Sequence, residues 1–199
     1  MARSAGRPPR SATDIQEYRT KIGKQALKIY NAEGFDAISM RRLAKEVGCA
    51  PMTIYAHFEG KTDVLRYIWA DILQDLSAHI VQALSIVSTA QDRLETAAQT
   101  FVRFWITQPE HFRLVFMSSE VTKADVTAFV TDADTAAQFA VFERLVRDAV
   151  GGDREIKVRT DTLISGLIGI ALSHNTIPGY AWADPGLMAK QLVSGVLCD

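Results

Sequence analysis

Apolar residues in this chain recur at three- and four-residue intervals, and no sustained every-second-residue alternation occurs. That spacing buries one stripe of a helix, whereas a half-buried strand needs a period of two. Ile22, Ala26, Ile29 and Tyr30 share one stripe of a helix predicted over 13–33. Gly34 ends it as a left-handed cap would, and Phe35 follows as the apolar partner of such a cap. Ser39 is placed to cap a short helix over 40–47, with Leu43 and Val47 turned inward. Gly48-Cys49-Ala50 reads as a turn tight enough that a side chain at Gly48 would obstruct it. Pro51 opens the next helix, where its missing N–H costs nothing. Leu65, Ile68, Ile72, Leu76, Ile80, Ala83 and Val87 then predict a long helix over 61–87, spanning roughly 40 Å at about 1.5 Å per residue.

The second half continues in the same period. Leu94, Ala97, Ala98, Phe101, Phe104 and Trp105 predict a helix over 92–107, and Pro109 starts a short one with Phe112, Val115 and Phe116 inward. Thr122 with Asp125 resembles a capping box, opening a helix toward Val150 that Asp132-Ala133-Asp134 would interrupt and Gly151-Gly152 would stop. Asp153 opens a helix to His174, residues 175–183 form a loop around Pro178-Gly179, and Asp184-Pro185 starts a last helix through Leu197. No Asn-Gly or Asp-Gly hairpin signal occurs, so the fold class is all-α.

Composition changes this picture in three places. With 199 residues, 48% of them hydrophobic, the chain supports a real core, as one large domain or a small one joined to a medium one. No apolar run approaches the roughly 18 residues of a membrane span, and no apolar segment follows the basic N-terminus as in a secretory leader. Cys49 and Cys198 are far apart, which fits a reducing cytoplasm and offers neither a metal site nor a disulfide framework. No cofactor motif is present.

Charge is the third. The net −1 divides into eleven Lys+Arg against six Asp+Glu up to Lys61, and eleven against seventeen beyond it. A basic front on an acidic body suits a polyanion met at the front. Within that front, residues 1–12 form an Arg/Pro/Ser/Gly-rich arm; Arg3, Arg7 and Arg10 suit a narrow, electronegative minor groove.

A short helix, a three-residue turn and a second short helix is the helix-turn-helix arrangement. Leu43, Ala44, Val47 and Ile54 must pack the two helices together, with Ile54 and Phe58 facing the centre at i,i+4. Beyond Pro51 at its head, the second helix then turns Met52, Thr53, Ala56 and His57 outward toward base edges. Tyr55 and His57 offer an O–H and an N–H to phosphate oxygens, Lys61 offers a charge, and Arg41 and Arg42 reach the backbone from the flank.

The stretch SMRRLAKEVGCAPMTIYAHFEGKTDVL resembles the DNA-binding region of TetR-family transcriptional regulators. The family pattern falls on Ser39, Leu43-Ala44, Gly48-Cys49, Thr53-Ile54-Tyr55-Ala56-His57-Phe58 and Lys61. Three positions depart from it: Ala50 and Gly60 stand where capping residues are usual, and Cys49 where Val is usual. The resemblance implies a helix-turn-helix domain over 13–60, joined by a long helix to an effector-binding and dimerisation domain over 61–199, with about nine helices in all. It implies a homodimer on a palindromic double-stranded operator, released by a small-molecule effector, with repression the family's commoner mode. FVRFWITQPEHFRLVF looks like the family's fifth and sixth helices, which implies that some of Phe101, Phe104, Trp105, Phe112 and Phe116 line an effector pocket where the alternative is ordinary core, and His174 is among the polar residues near apolar faces that could orient a ligand. Gly166, Gly169, Leu187, Leu192 and Val196 resemble the two-helix face of its four-helix dimer interface. No Gly-x-Ser-x-Gly, His-Glu-x-x-His or phosphate-binding loop points to an enzyme, so no catalytic residue is assigned.

Overall fold

The computed structural model describes residues 12–117, 133–152 and 155–198. The basic arm, the Thr122 cap and the Asp153 start lie outside the described residues. Every regular element within them is helical, as the apolar spacing requires. The chain divides into two compact units, Met1–Ile68 and Trp69–Asp199.

The first unit is built from α1 (Ala12–Glu33), a 3-10 turn (Phe35–Ala37), α2 (Met40–Val47), α3 (Pro51–Tyr55) and the opening turns of α4 (Lys61–Leu84). Ile22, Ala26, Leu43, Ala44, Ile54, Phe58, Val64 and Leu65 form its core, each nearly or fully buried. Local chemistry sets the element ends. The Ser39 hydroxyl accepts the Arg42 backbone N–H at 3.2 Å and caps α2. Gly48 closes α2 at φ 79, ψ 42, donating to the Ala44 carbonyl. A Cβ at Gly48 would meet nothing within 4 Å. The glycine is therefore required by its left-handed backbone and not by crowding, which corrects the expectation from the turn's tightness. Asp63 reaches back from the first turn of α4 to accept the Glu59 backbone N–H at 3.1 Å, the anionic cap that the positive helix end favours.

The second unit continues α4 and adds α5 (Ala90–Thr107), α6 (Pro109–Phe116), α7 (Ala133–Val150), α8 (Ile156–Thr176) and α9 (Pro185–Leu197). α5 lies at its centre, packed by α6, α7, α8 and α9. That position explains why both sides of α5 are buried, including Leu94, Ala98, Phe101, Val102 and Trp105. Thr89 caps α5 through the Asp92 N–H at 3.1 Å, and Asp184 caps α9 through the Leu187 N–H at 2.9 Å. α4 stops at Leu84, three residues before the predicted end. Ile86 lies outside the apolar stripe and is exposed, and the Ser85 hydroxyl turns back to the Gln82 carbonyl at 2.7 Å. On α6 the inward residues are Phe112 and Leu114, while Val115 and Phe116 are only part-buried. Trp69 fastens the start of the unit by donating its indole N–H to the Leu114 carbonyl at 3.1 Å.

Candidate nucleic-acid interface and body cavity

Five residues of helix cannot hold themselves together, because most of their backbone groups have no partner within the turn. α3 is held from below by Ile54, its one fully buried side chain, and by Phe58 just beyond it. With these inward, Pro51, Met52, Tyr55 and Ala56 face solvent, Met52 at 77% and Tyr55 at 52% exposure, and Thr53 and His57 are half-buried beside them. Two exposed, large side chains on so short a helix form a surface with no intramolecular purpose. The structure thus brings together all the residues predicted on the second helix. The His57 ring also lies 5.1 Å from that of Tyr18 on α1, a contact sequence spacing does not reveal.

The flanking cations are already engaged. Arg42 forms a two-toothed pair with Glu33 across the α1–α2 corner, one N–H···O distance being 2.8 Å. Its guanidinium holds the Glu33 carboxyl below the usual carboxylate range. Such an exposed pair is screened by solvent and contributes little to stability, so a phosphate can displace Glu33 at small cost. Lys61 lies 3.8 Å above the Phe35 ring and 3.7 Å from the Asp36 carboxylate. Arg41 is exposed.

The second unit contains a small apolar cavity of about 30 Å³. α4 contributes Leu73, Leu76, Ser77, Ile80 and Val81; α5 gives Phe101 and Trp105; Phe116 and the α7 residues Val141 and Phe142 complete the described wall. Phe101, Trp105 and Phe116 border it. Phe112 and Phe104 do not, because they form the packing behind it, with ring centroids 6.0 and 5.1 Å from that of Trp105. His174 is elsewhere on α8. Its ring nitrogen meets the Ile170 carbonyl at 2.9 Å, and the ring lies 5.8 Å from Trp182. The neighbouring Asn175 donates to the Trp105 carbonyl at 3.1 Å. Trp105 is fully buried, yet its indole Nε1 meets no hydrogen-bond partner among the described residues. A separate polar groove of about 330 Å³ is lined by His79, Arg103, Phe104 and Gln108 among others. His111, half-buried on α6, also has an Nδ1 without a partner among the described residues, and burial pushes its imidazole below the ordinary value of 6.5.

α8 and α9 pack against each other through Gly166. A Cβ there would fall 2.4 Å from a Leu192 methyl carbon, so the glycine permits close approach within one chain. Gly169 has nothing within 4 Å in the same chain. An open groove of about 720 Å³ runs between the two helices, with Gly166, Leu192 and Val196 in its wall. Val158 and Leu187 are exposed at 63% and 65%. Among the described residues, no cluster of His, Cys, Asp and Glu could hold a metal ion, and no helix is long and apolar enough to cross a membrane.

A helix-turn-helix that turns the second helix's polar and aromatic residues outward defines a nucleic-acid reader. Residues 22–68 match the family model described as bacterial regulatory proteins, tetR family. The HTH-type transcriptional activator FasR of Mycolicibacterium smegmatis is 27% identical over 133 residues, which are 67% of this chain and 61% of FasR. The chain therefore spans about three fifths of that relative's length. Among solved structures, the fatty acid degradation regulator FadR from Bacillus halodurans aligns with a TM-score of 0.72 at 12% identity, covering 90% of this chain and 94% of its own. A bacterial regulatory protein in the tetR family from Rhodococcus RHA1 aligns at 0.64 with 18% identity, covering 90% and 94%. At these identities the structures show the shared fold. Residues 22–68 carry the DNA-binding region of the TetR family of transcriptional regulators.

Proposed function

We propose that this protein binds a palindromic operator as a homodimer and leaves it when a small, largely apolar molecule occupies the cavity of the second unit. The observation that carries the first half is α3: Ile54 and Phe58 buried, with Met52, Tyr55 and Ala56 exposed on the opposite side. A single five-residue helix reads few base pairs, so a second copy about one DNA turn away is needed for useful affinity. The open α8–α9 groove, flanked by exposed Val158 and Leu187, suits that second copy. Arg41, Arg42, Tyr55 and Lys61 act on phosphates, and Met52, Thr53, Ala56 and His57 act on base edges.

The effector half rests on the cavity wall. Nine of its ten described residues are aliphatic or aromatic, and the tenth, Ser77, carries a hydroxyl. Trp105 adds a buried donor with no acceptor among the described residues, a group that is costly to leave unmatched. An apolar molecule bearing a carbonyl oxygen answers both features. The fold shared with a fatty acid degradation regulator agrees with an acyl compound. At about 30 Å³ the cavity is far smaller than such a molecule, so binding must part its walls. A ligand that fits only the widened form shifts the population toward that form.

The test is a gel shift with DNA from upstream of the protein's own gene, across a salt series, with unrelated DNA as competitor. Specific binding about 10³-fold or more above the competitor is expected, with steep salt dependence. Equal binding to both DNAs refutes the reading. Methyl octanoate, octanoate and nonane, added in turn, distinguish an ester, a carboxylate and a purely apolar effector.

A further inference from the structure

α3 lacks a side-chain cap at its start, because Ala50 occupies that position. Its far end is held by a residue from another helix. Arg19 of α1 donates from Nη1 to the His57 backbone carbonyl at 2.7 Å. The same guanidinium lies 4.4 Å from the Phe58 ring centroid and 5.0 Å from that of Tyr67 on α4. Phe58 and Tyr67 meet edge to face at 5.5 Å. Tyr67 is itself fastened to α1: its hydroxyl lies 3.0 Å from the Gln16 amide nitrogen and 2.9 Å from the Thr20 hydroxyl. A Cβ on Gly23 would come within 3.1 Å of the Tyr67 ring, so α1 has no side chain where the ring rests.

We propose that Arg19 and Tyr67 form a latch that positions the reading helix: Arg19 fixes its C-terminal end, and Tyr67 determines whether Arg19 is in place to do so. A planar guanidinium resting on two touching rings has its plane constrained by both, and here it donates an N–H to the His57 carbonyl. Tyr67 sits on the helix whose later turns wall the apolar cavity, so a displacement of α4 against α1 would move one face of the Arg19 slot. The latch makes operator affinity depend on that register without any change in the residues that face DNA. This inference rests on the DNA-binding reading above.

The test uses the full chain carrying Arg19→Met, Arg19→Lys or Tyr67→Phe. Methionine keeps an apolar stem without donors; lysine keeps the charge but not the flat stacking surface; phenylalanine keeps the ring but not its ties to α1. Affinities for operator and for unrelated DNA are measured at a temperature where circular dichroism shows each variant folded. Arg19→Met is expected to lower the operator-to-unrelated ratio about tenfold, the scale of one charge-assisted hydrogen bond. Arg19→Lys and Tyr67→Phe should lower it about two- to fivefold, with affinity for unrelated DNA unchanged. A structural role alone would lower the melting temperature and leave this ratio intact, which overturns the latch. Equal losses on both DNAs, spared in Arg19→Lys, would make Arg19 a phosphate contact and also overturn it. If the unmodified protein showed no operator preference, the DNA-binding reading would fail and the latch with it.

Discussion

Ile54 is the only fully buried side chain of α3, and its truncation measures how the reading helix is held. Ile54→Ala removes three carbon groups from the core, about 2.4 kcal/mol of transfer free energy at about 0.8 per group. A residual cavity adds to this, because the close-packed surroundings of Leu43, Ala44 and Val47 collapse only in part; the total expected is about 3–4 kcal/mol. Ile54→Val removes one group and should cost about 0.5–1.5 kcal/mol. With a urea m-value of about 1–3 kcal/mol/M, the alanine variant should lower the unfolding midpoint by about 1–4 M, and the valine variant by about 0.2–1.5 M. Far-UV circular dichroism in a urea titration reads both. Because α3 has no side-chain cap at Ala50, only Phe58 and the Arg19 bond to the His57 carbonyl remain to hold it, and operator affinity should fall even where most of the chain remains helical. An alanine variant with an unchanged midpoint and wild-type operator affinity would refute the view that packing beneath α3 sets its position.

Gly48→Ala should destabilise by about 1–2 kcal/mol although space for the methyl group is free, since the cost lies in the φ of 79; Gly48→Asn should recover part of it, both read by thermal melting. Gly166→Ala should cost about 1–3 kcal/mol because its Cβ would meet Leu192, and adding Leu192→Ala should relieve part of that loss in a double-mutant cycle. His111 is buried with its pKa lowered below 6.5, so the unfolded chain binds the proton first as pH falls through 6.5. Its contribution to stability is therefore full above that value and declines below it. Urea midpoints of His111→Gln should fall less steeply than wild type on acidification from pH 7, and parallel curves would rule this out.

Helix positions, their caps at Ser39 and Asp184 and the inward pair Ile54 and Phe58 were legible in residue order, while the left-handed backbone that requires Gly48 was not. Each depends on neighbours three or four positions away, a distance at which backbone geometry alone decides who meets whom. The outward face of α3 was legible for the same reason, since burying Ile54 and Phe58 leaves Met52, Tyr55, Ala56 and their neighbours to face outward. What order along the chain could not supply was set by approach between distant segments. Arg19 reaches a carbonyl 38 residues away, Glu33 occupies Arg42, and packing divides one run of aromatic residues into cavity wall (Phe101, Trp105, Phe116) and interior filling (Phe104, Phe112). Periodicity says that a side chain points inward, but whether it then meets another side chain or an empty volume depends on how whole helices pack, and that is a property of the folded body alone.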